Sequence, residues 1–171
     1  IKQRLAVRDR VYSALTREYG NKKEVVQHFY HKDTSVPIWA IFEVLTLGEF
    51  GNFYSCLNYG VRRAVSIKLG FHQPSDSDAF LTKKIIFAIK ELRNAVAHND
   101  VIFDTRFSRS SIDKSLSSSL EIVTRIKNIT FKSITDYIIL VVYLLKCFGV
   151  PKGDMRRFLV EFQDNIETLR K

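Results

Sequence analysis

Asp76-Ser77-Asp78-Ala79-Phe80-Leu81-Thr82-Lys83-Lys84-Ile85-Ile86-Phe87-Ala88-Ile89-Lys90-Glu91-Leu92-Arg93-Asn94-Ala95-Val96-Ala97 carries the clearest periodicity in the chain. Leu81, Ile85, Ile89, Leu92 and Val96 recur three or four residues apart and make one apolar stripe. Charged and polar residues fill the positions between, which is the pattern of an amphipathic helix. The segments on either side read the same way. Apolar residues at Leu5, Val11, Tyr12, Leu15 and Tyr19 fall at helical spacings, and a shorter segment from Lys23 to Tyr30 follows the Gly20-Asn21 break. Pro37 stands where a helix starts, and Ile38 to Leu45 is apolar on nearly all sides, which predicts a central buried helix.

Thr46-Leu47-Gly48-Glu49 has capping-box spacing, so a new helix is predicted from there to Leu57. Phe50, Phe53 and Tyr54 lie at i, i+3 and i+4; with Trp39 and Phe42 they read as core, since no Lys or Arg interleaves them as in a base-stacking platform. Val61 to Leu69 is a short basic helix, and Ser108 to Ser119, seven of whose residues are serine, reads as a surface loop or weakly held turn. Helical spacing resumes through Ile112, Leu116, Leu120 and Val123. Ile134 to Phe148 contains a β-branched run, but its length favours a buried helix, and Asp154 to Leu169 closes the chain as an amphipathic one. The expectation is one all-α domain over residues 1–171, a bundle of about seven to nine helices. With 7 Gly and 3 Pro in 171 residues, too few turns are signalled for a β-sandwich.

Composition narrows the function classes. The chain is 46% hydrophobic and 26% charged, as ordinary folded proteins are. Twenty-seven Lys and Arg against 18 Asp and Glu leave +9, which favours a polyanionic partner, RNA or DNA before a membrane surface. Cys56 and Cys147 are too few for a disulfide framework or a zinc cluster, and fit a reducing, cytoplasmic setting. The longest apolar run, Ile138 to Leu145, is far short of a membrane span, and Ile-Lys-Gln-Arg does not resemble a signal peptide. The absence of an initiator Met leads us to expect residues upstream of Ile1.

Phosphate loops, serine elbows and Cys-x-x-Cys pairs are missing from the sequence. His28 and His31 share i, i+3 spacing but lack a third ligand nearby, so they read as surface histidines; His72 falls in a turn. His98 differs. It ends Glu91-Leu92-Arg93-Asn94-Ala95-Val96-Ala97-His98-Asn99-Asp100, a polar cluster at the end of the most amphipathic helix. Arginine offers a planar fork for phosphate oxygens and for charge that develops on them. Histidine titrates near neutrality and can take or give a proton. Asparagine can orient the imidazole or bind phosphate. With a ribose 2′-hydroxyl as internal nucleophile, Arg93, Asn94 and His98 suffice for RNA cleavage without metal or cofactor. On a straight helix Arg93 and His98 lie about 140° apart, so a composite site from two copies would bring them together more readily. The structural alternative is a histidine that closes a helix end beside an ion-paired arginine.

At these residues the chain resembles the Abi-like abortive-infection proteins of bacteria, within the HEPN superfamily. Leu92-Arg93-Asn94-Ala95-Val96-Ala97-His98-Asn99 is similar to the Arg-Asn-x-x-x-His motif of HEPN domains. Val36-Pro37-Ile38-Trp39-Ala40-Ile41-Phe42-Glu43-Val44-Leu45-Thr46-Leu47-Gly48-Glu49-Phe50 is similar to the segment upstream of it. The two blocks span roughly Val36 to Phe107. The resemblance implies a HEPN-like helical fold, a homodimer that joins two motifs, and metal-independent endoribonuclease activity leaving a 2′,3′-cyclic phosphate and a 5′-hydroxyl. It makes Arg93 and His98 the catalytic pair, with Asn94 and Asn99 as motif neighbours. Family members commonly continue His-Asn/His-x-Arg-Leu; here Asp100-Val101-Ile102 follows Asn99, and Arg106 is the candidate replacement for the family's arginine. RNA would lie along Arg62, Arg63, Lys68, Lys83, Lys84, Lys90 and Arg106. Two other readings stand beside this one: a non-catalytic module bound to a structured or noncoding RNA, and a protein-interaction module, with an antitoxin as a further partner.

Overall fold

The structure, a computed structural model, describes residues 1–71, 73, 76–97, 107 and 112–169. Among the described residues the fold is all-α, with nine helices and no strand. They are α1 (Lys2–Gly20), α2 (Glu24–His31), α3 (Ile38–Val44), α4 (Leu47–Cys56), α5 (Tyr59–Lys68), α6 (Leu81–Ala97), α7 (Lys114–Thr124), α8 (Ile134–Cys147) and α9 (Lys152–Leu169). None of them is long and apolar enough to cross a membrane.

Local chemistry sets several of the boundaries. At the head of α4 both arms of the capping box form: the Glu49 N–H donates to Thr46 Oγ1 (3.3 Å) and the Thr46 N–H to Glu49 Oε2 (2.7 Å). Asn58 caps α5 through a bond from the Val61 N–H, 2.9 Å. Helix α6 begins later than its periodicity suggests. The Asp76 carboxylate accepts the N–H groups of Phe80 (3.0 Å) and Leu81 (3.1 Å), so the backbone turns before Leu81 rather than winding on from Asp76. Burial pushes the Asp76 carboxyl above its ordinary range.

Helix α6 is the hinge of the packing. Leu81, Ile85, Ala88 and Ala95 are buried, and Leu92 packs partly against the same core. At about 100° per residue these five lie within an arc of about 80°, whereas Val96 falls just outside it. Ile89, further round the helix, still packs partly against the core, whereas Val96, in the last turn, is 55% exposed and not part of the core stripe. The larger core gathers this face with Leu116 and Leu120 of α7, Ile134, Tyr137 and Leu140 of α8, and Phe71, Phe107, Ile129 and Phe131 from the connections. Across the other side of α6, Gly51 of α4 faces Phe87 so closely that a Cβ would sit 2.6 Å from its ring. Buried hydroxyls of Ser66 and Thr82 tie α5 to α6 (2.9 Å), and the buried Tyr54 hydroxyl donates to the carbonyls of Arg62 (3.0 Å) and Ala79 (3.1 Å).

A second, smaller core of Ala14, Leu15, Val26 and Val44 joins α1, α2 and α3. It is too thin to cover α3. That helix is not the central buried element its composition predicts: Ala40 and Val44 point inward, while Ile38, Trp39 and Phe42 are exposed. A two-turn helix that meets neighbours on one side leaves its other apolar residues at the surface. Of the aromatic group expected in the core, Tyr54 alone is buried, and Phe50 and Phe53 are half-buried. Leu5, Tyr12 and Tyr19 on α1 are likewise exposed.

The serine-rich stretch is a second departure. Ser115 to Ser119 are helical, within α7. Asp113 caps the helix by accepting the Ser115 N–H (2.9 Å), Ser118 Oγ returns to the Lys114 carbonyl (3.1 Å), and Leu116 and Leu120 are buried. The cap and two buried leucines outweigh the weak helix preference of serine. Val123, in contrast, is exposed. Gly149, at φ +75°, turns the chain after α8, and α9 folds back on α8 with Phe162 against the larger core, leaving Leu159 and Val160 exposed.

Candidate cationic site

The C-terminal part of α6 carries Lys90, Arg93 and Asn94 on one side, at i, i+3 and i+4. This side faces away from the larger core and toward the junction where α1 ends, α2 begins and α3 hands over to α4. The junction frames an open cavity of about 620 Å³, lined by Arg17, Glu18, Lys23, Glu43, Leu47, Lys90, Arg93 and Asn94 together with residues of the α3–α4 elbow. Gly48 lets that elbow approach α6: a Cβ there would meet Lys90 Cδ at 3.5 Å.

Four cations and two carboxylates line this cavity, so its lining is net positive, while Glu49 and Glu91 just outside it pair with Arg17 and Lys90. The cations are held to different degrees. Arg17 is the most committed. Its guanidinium bonds Glu18 Oε1 (2.9 Å) and the Val44 carbonyl (3.3 Å), and lies 3.8 Å from Glu49 Oε1. The bond to Glu18 raises the Arg17 pKa and lowers that of Glu18, so both stay charged. Lys23 Nζ donates to the Glu43 carbonyl (3.0 Å), which fixes the start of α2 against the end of α3. Lys90 pairs with Glu91 (3.2 Å) and lies 5.8 Å above the Phe87 ring. Arg93 is exposed, and among the described residues its guanidinium meets only the neutral Asn94 amide, Nη1 to Oδ1 at 3.3 Å. Among the described residues that guanidinium meets no carboxylate, and at the edge of this cavity it is suited to an incoming phosphate.

Of the residues predicted from sequence, Arg93, Asn94 and Lys90 are therefore brought together. His98 and Asn99, the rest of the motif, and Arg106 lie outside the described residues, as does His72. The remaining basic residues are dispersed. Arg62 is built into the fold: its guanidinium bonds the Leu57 and Asp78 carbonyls and stacks 4.1 Å over Phe80. Lys84 bridges to α7 through Ser115 Oγ (2.6 Å) and Asp113 (3.4 Å). Lys83 lies over Phe80 and Phe87 and lines a separate cavity with Gln3 and Arg10 of α1. Arg63 and Lys68 are exposed on α5. His28 and His31 are exposed too, edge-on to Phe29 and Tyr19.

Arg17 and Lys23 escape the sequence reading. They flank the Gly20-Asn21 turn, far in sequence from the motif, and nothing in their spacing points to α6. Only packing of the α1–α2 corner against the α3–α4 elbow brings them to Arg93.

The family model described as Abi-like protein matches residues 2–104, the span from α1 through α6 that holds every residue lining the cavity. No curated protein and no solved structure matches the chain.

Proposed function

The chain belongs to the Abi-like protein family, and from that premise we propose that it is a metal-independent endoribonuclease of HEPN type acting in phage defence. The observation that carries this reading is the opening of Arg93 and Asn94, the first two residues of the motif, into a net-positive cavity within the family-matched span. RNA phosphates enter that cavity, and Arg93 offsets the charge that builds on the phosphoryl oxygens in the transition state. His98 accepts the proton of the 2′-hydroxyl, whose oxygen attacks phosphorus. The P–O5′ bond breaks, the leaving oxygen takes up a proton, and the products are a 2′,3′-cyclic phosphate and a 5′-hydroxyl. A homodimer supplies the second motif, whose histidine serves as the acid. The RNA is cytoplasmic.

The test is cleavage of end-labelled RNA in EDTA by the native chain and by His98→Ala, with the product termini identified. Cyclic-phosphate ends that vanish in the variant support the proposal; intact RNA in both lanes, or cleavage that survives the substitution, overturns it. Asp100-Val101-Ile102 in place of the family's usual continuation favours one second reading, a non-catalytic module bound to a structured RNA. In that case a gel shift without product is the outcome. Dissociation of a dimer by Arg93→Ala, with no RNA bound at low salt, would instead mark a protein-interaction module.

A further inference from the structure

The exposed face of α3 has no role in the site as described so far. Ile38 (61% exposed), Trp39 (53%) and Phe42 (39%) turn large apolar surface to solvent on one helix of seven residues. A monomer seldom leaves such a cluster bare without a use for it. The rings are held, not splayed. Trp39 stands edge-to-face with Phe29 at 5.8 Å, and Phe42 likewise with Phe50 (5.6 Å) and Phe53 (5.3 Å). Such fixed aromatics lose little side-chain entropy when a partner lies on them.

What lies next to this face indicates the partner. Glu43, one helical turn beyond Trp39 and so about 6 Å further along α3, lines the cavity that holds Lys23, Lys90 and Arg93. The aromatic face of α3 thus adjoins, through Glu43, the pocket whose lining carries four cations against two carboxylates. A purely apolar protein partner would cover the rings and offer nothing to Arg93, which meets no carboxylate among the described residues. A base-paired duplex would present phosphates and hide the faces of its bases. An unpaired nucleotide has both a negative phosphate and a bare aromatic face, and it matches both halves.

We propose that Trp39, braced edge-on by Phe29, is a base-stacking platform, which holds an unpaired RNA base while Lys90 and Arg93 take the adjoining phosphate. This rests on the RNA reading above and adds to it a binding subsite outside the Arg-Asn-x-x-x-His motif.

Trp39 is the sole tryptophan of the chain, so its emission reports on this face alone. The experiment titrates the full chain, in a His98→Ala background so that RNA stays intact. The probes are an unstructured RNA oligonucleotide, the same RNA as a blunt duplex, the equivalent DNA strand, and inorganic polyphosphate. The platform requires saturable quenching by the single strand, little by the duplex, and none by polyphosphate bound to the basic pocket. Trp39→Ala should weaken single-strand binding roughly five- to a hundred-fold, the range that one base stacked on an aromatic ring supplies, while Trp39→Phe retains most of it. Quenching by the DNA strand as well would support the platform as a reader of unpaired bases of either sugar. RNA that shifts on a gel with unchanged Trp39 emission, and with unchanged affinity in Trp39→Ala, overturns the platform but leaves the ribonuclease reading intact. No binding of any nucleic acid at low salt removes both. Emission that moves to the blue with protein concentration alone assigns the face to a second copy of the chain and overturns the proposal.

Discussion

The corner made by α1 to α4 and the block made by α6 to α8 are both wholly helical among the described residues, yet they fold to different degrees of closure. In the block, residues of three helices and their connections converge on Phe131, Tyr137 and Leu140, each fully buried. In the corner the core is Ala14, Leu15, Val26 and Val44, and it is flanked by an open apolar groove of about 590 Å³ on one side and the cationic cavity on the other. The candidate chemistry gathers where burial is thin. A thin core leaves side chains and charges at the surface, while the closed block fixes α6, the helix that carries Arg93 to them.

If that division is right, substitutions should separate by region. Leu140→Ala should cost the most, toward the upper part of the about 2–5 kcal/mol usual for a buried leucine, read as a fall in urea midpoint. Leu15→Ala should fall near the lower end, because Leu15 borders the open groove and water can replace part of what is removed. Equal losses would erase the distinction. Gly51→Ala tests the seam between the regions. The new methyl would press on Phe87, and about 1–3 kcal/mol of destabilisation is expected by thermal denaturation. Much of that loss should disappear in a Phe87→Leu background; an additive double variant would show that the ring is not what the methyl meets.

A smaller effect belongs to the block's acidic cap. Hydrogen bonds from Ser115 hold the Asp113 carboxyl below its ordinary pKa. A carboxylate with a lowered folded pKa contributes stability above its unfolded value near 3.8, and loses it as pH falls through the lower folded value. Asp113→Ala should therefore cost about 1 kcal/mol at neutral pH and nothing at the acid end of a pH series. Asp113→Asn should keep most of the cap and flatten that dependence. The smallest stability effects are expected in the cavity, where Lys90→Ala and Arg93→Ala should each stay within about 0.5 kcal/mol of the native chain. Each should nevertheless lower the slope of log affinity for RNA against log salt by about one. Lys84→Ala, committed to Ser115 and Asp113, should leave that slope unchanged.

The sequence makes legible whatever is decided within a few residues. The capping box at Thr46, the apolar face of α6 and the helical run of α8 all follow from spacing along one strand of chain, and all are present. Arg93 and Asn94 are legible as a motif for the same reason. Less legible is which apolar residues become core. Tyr54 and Trp39 look alike in the sequence, yet the first is 1% exposed and the second 53%. Nor does charge say which cations are free: Arg62 is an exposed basic residue by pattern, and a structural clamp by contact.

Composition and periodicity by themselves determined that this chain is helical, that it is basic, and where its helices begin and end to within a few residues. Those properties depend on caps and side-chain spacing over one or two turns. Only the tertiary structure decided that Arg17 and Lys23 stand with Arg93, and that α3 keeps its tryptophan at the surface. Neighbours across a cavity are set by how helices distant in the chain pack, and burial depends on how much partner surface is left to cover each face.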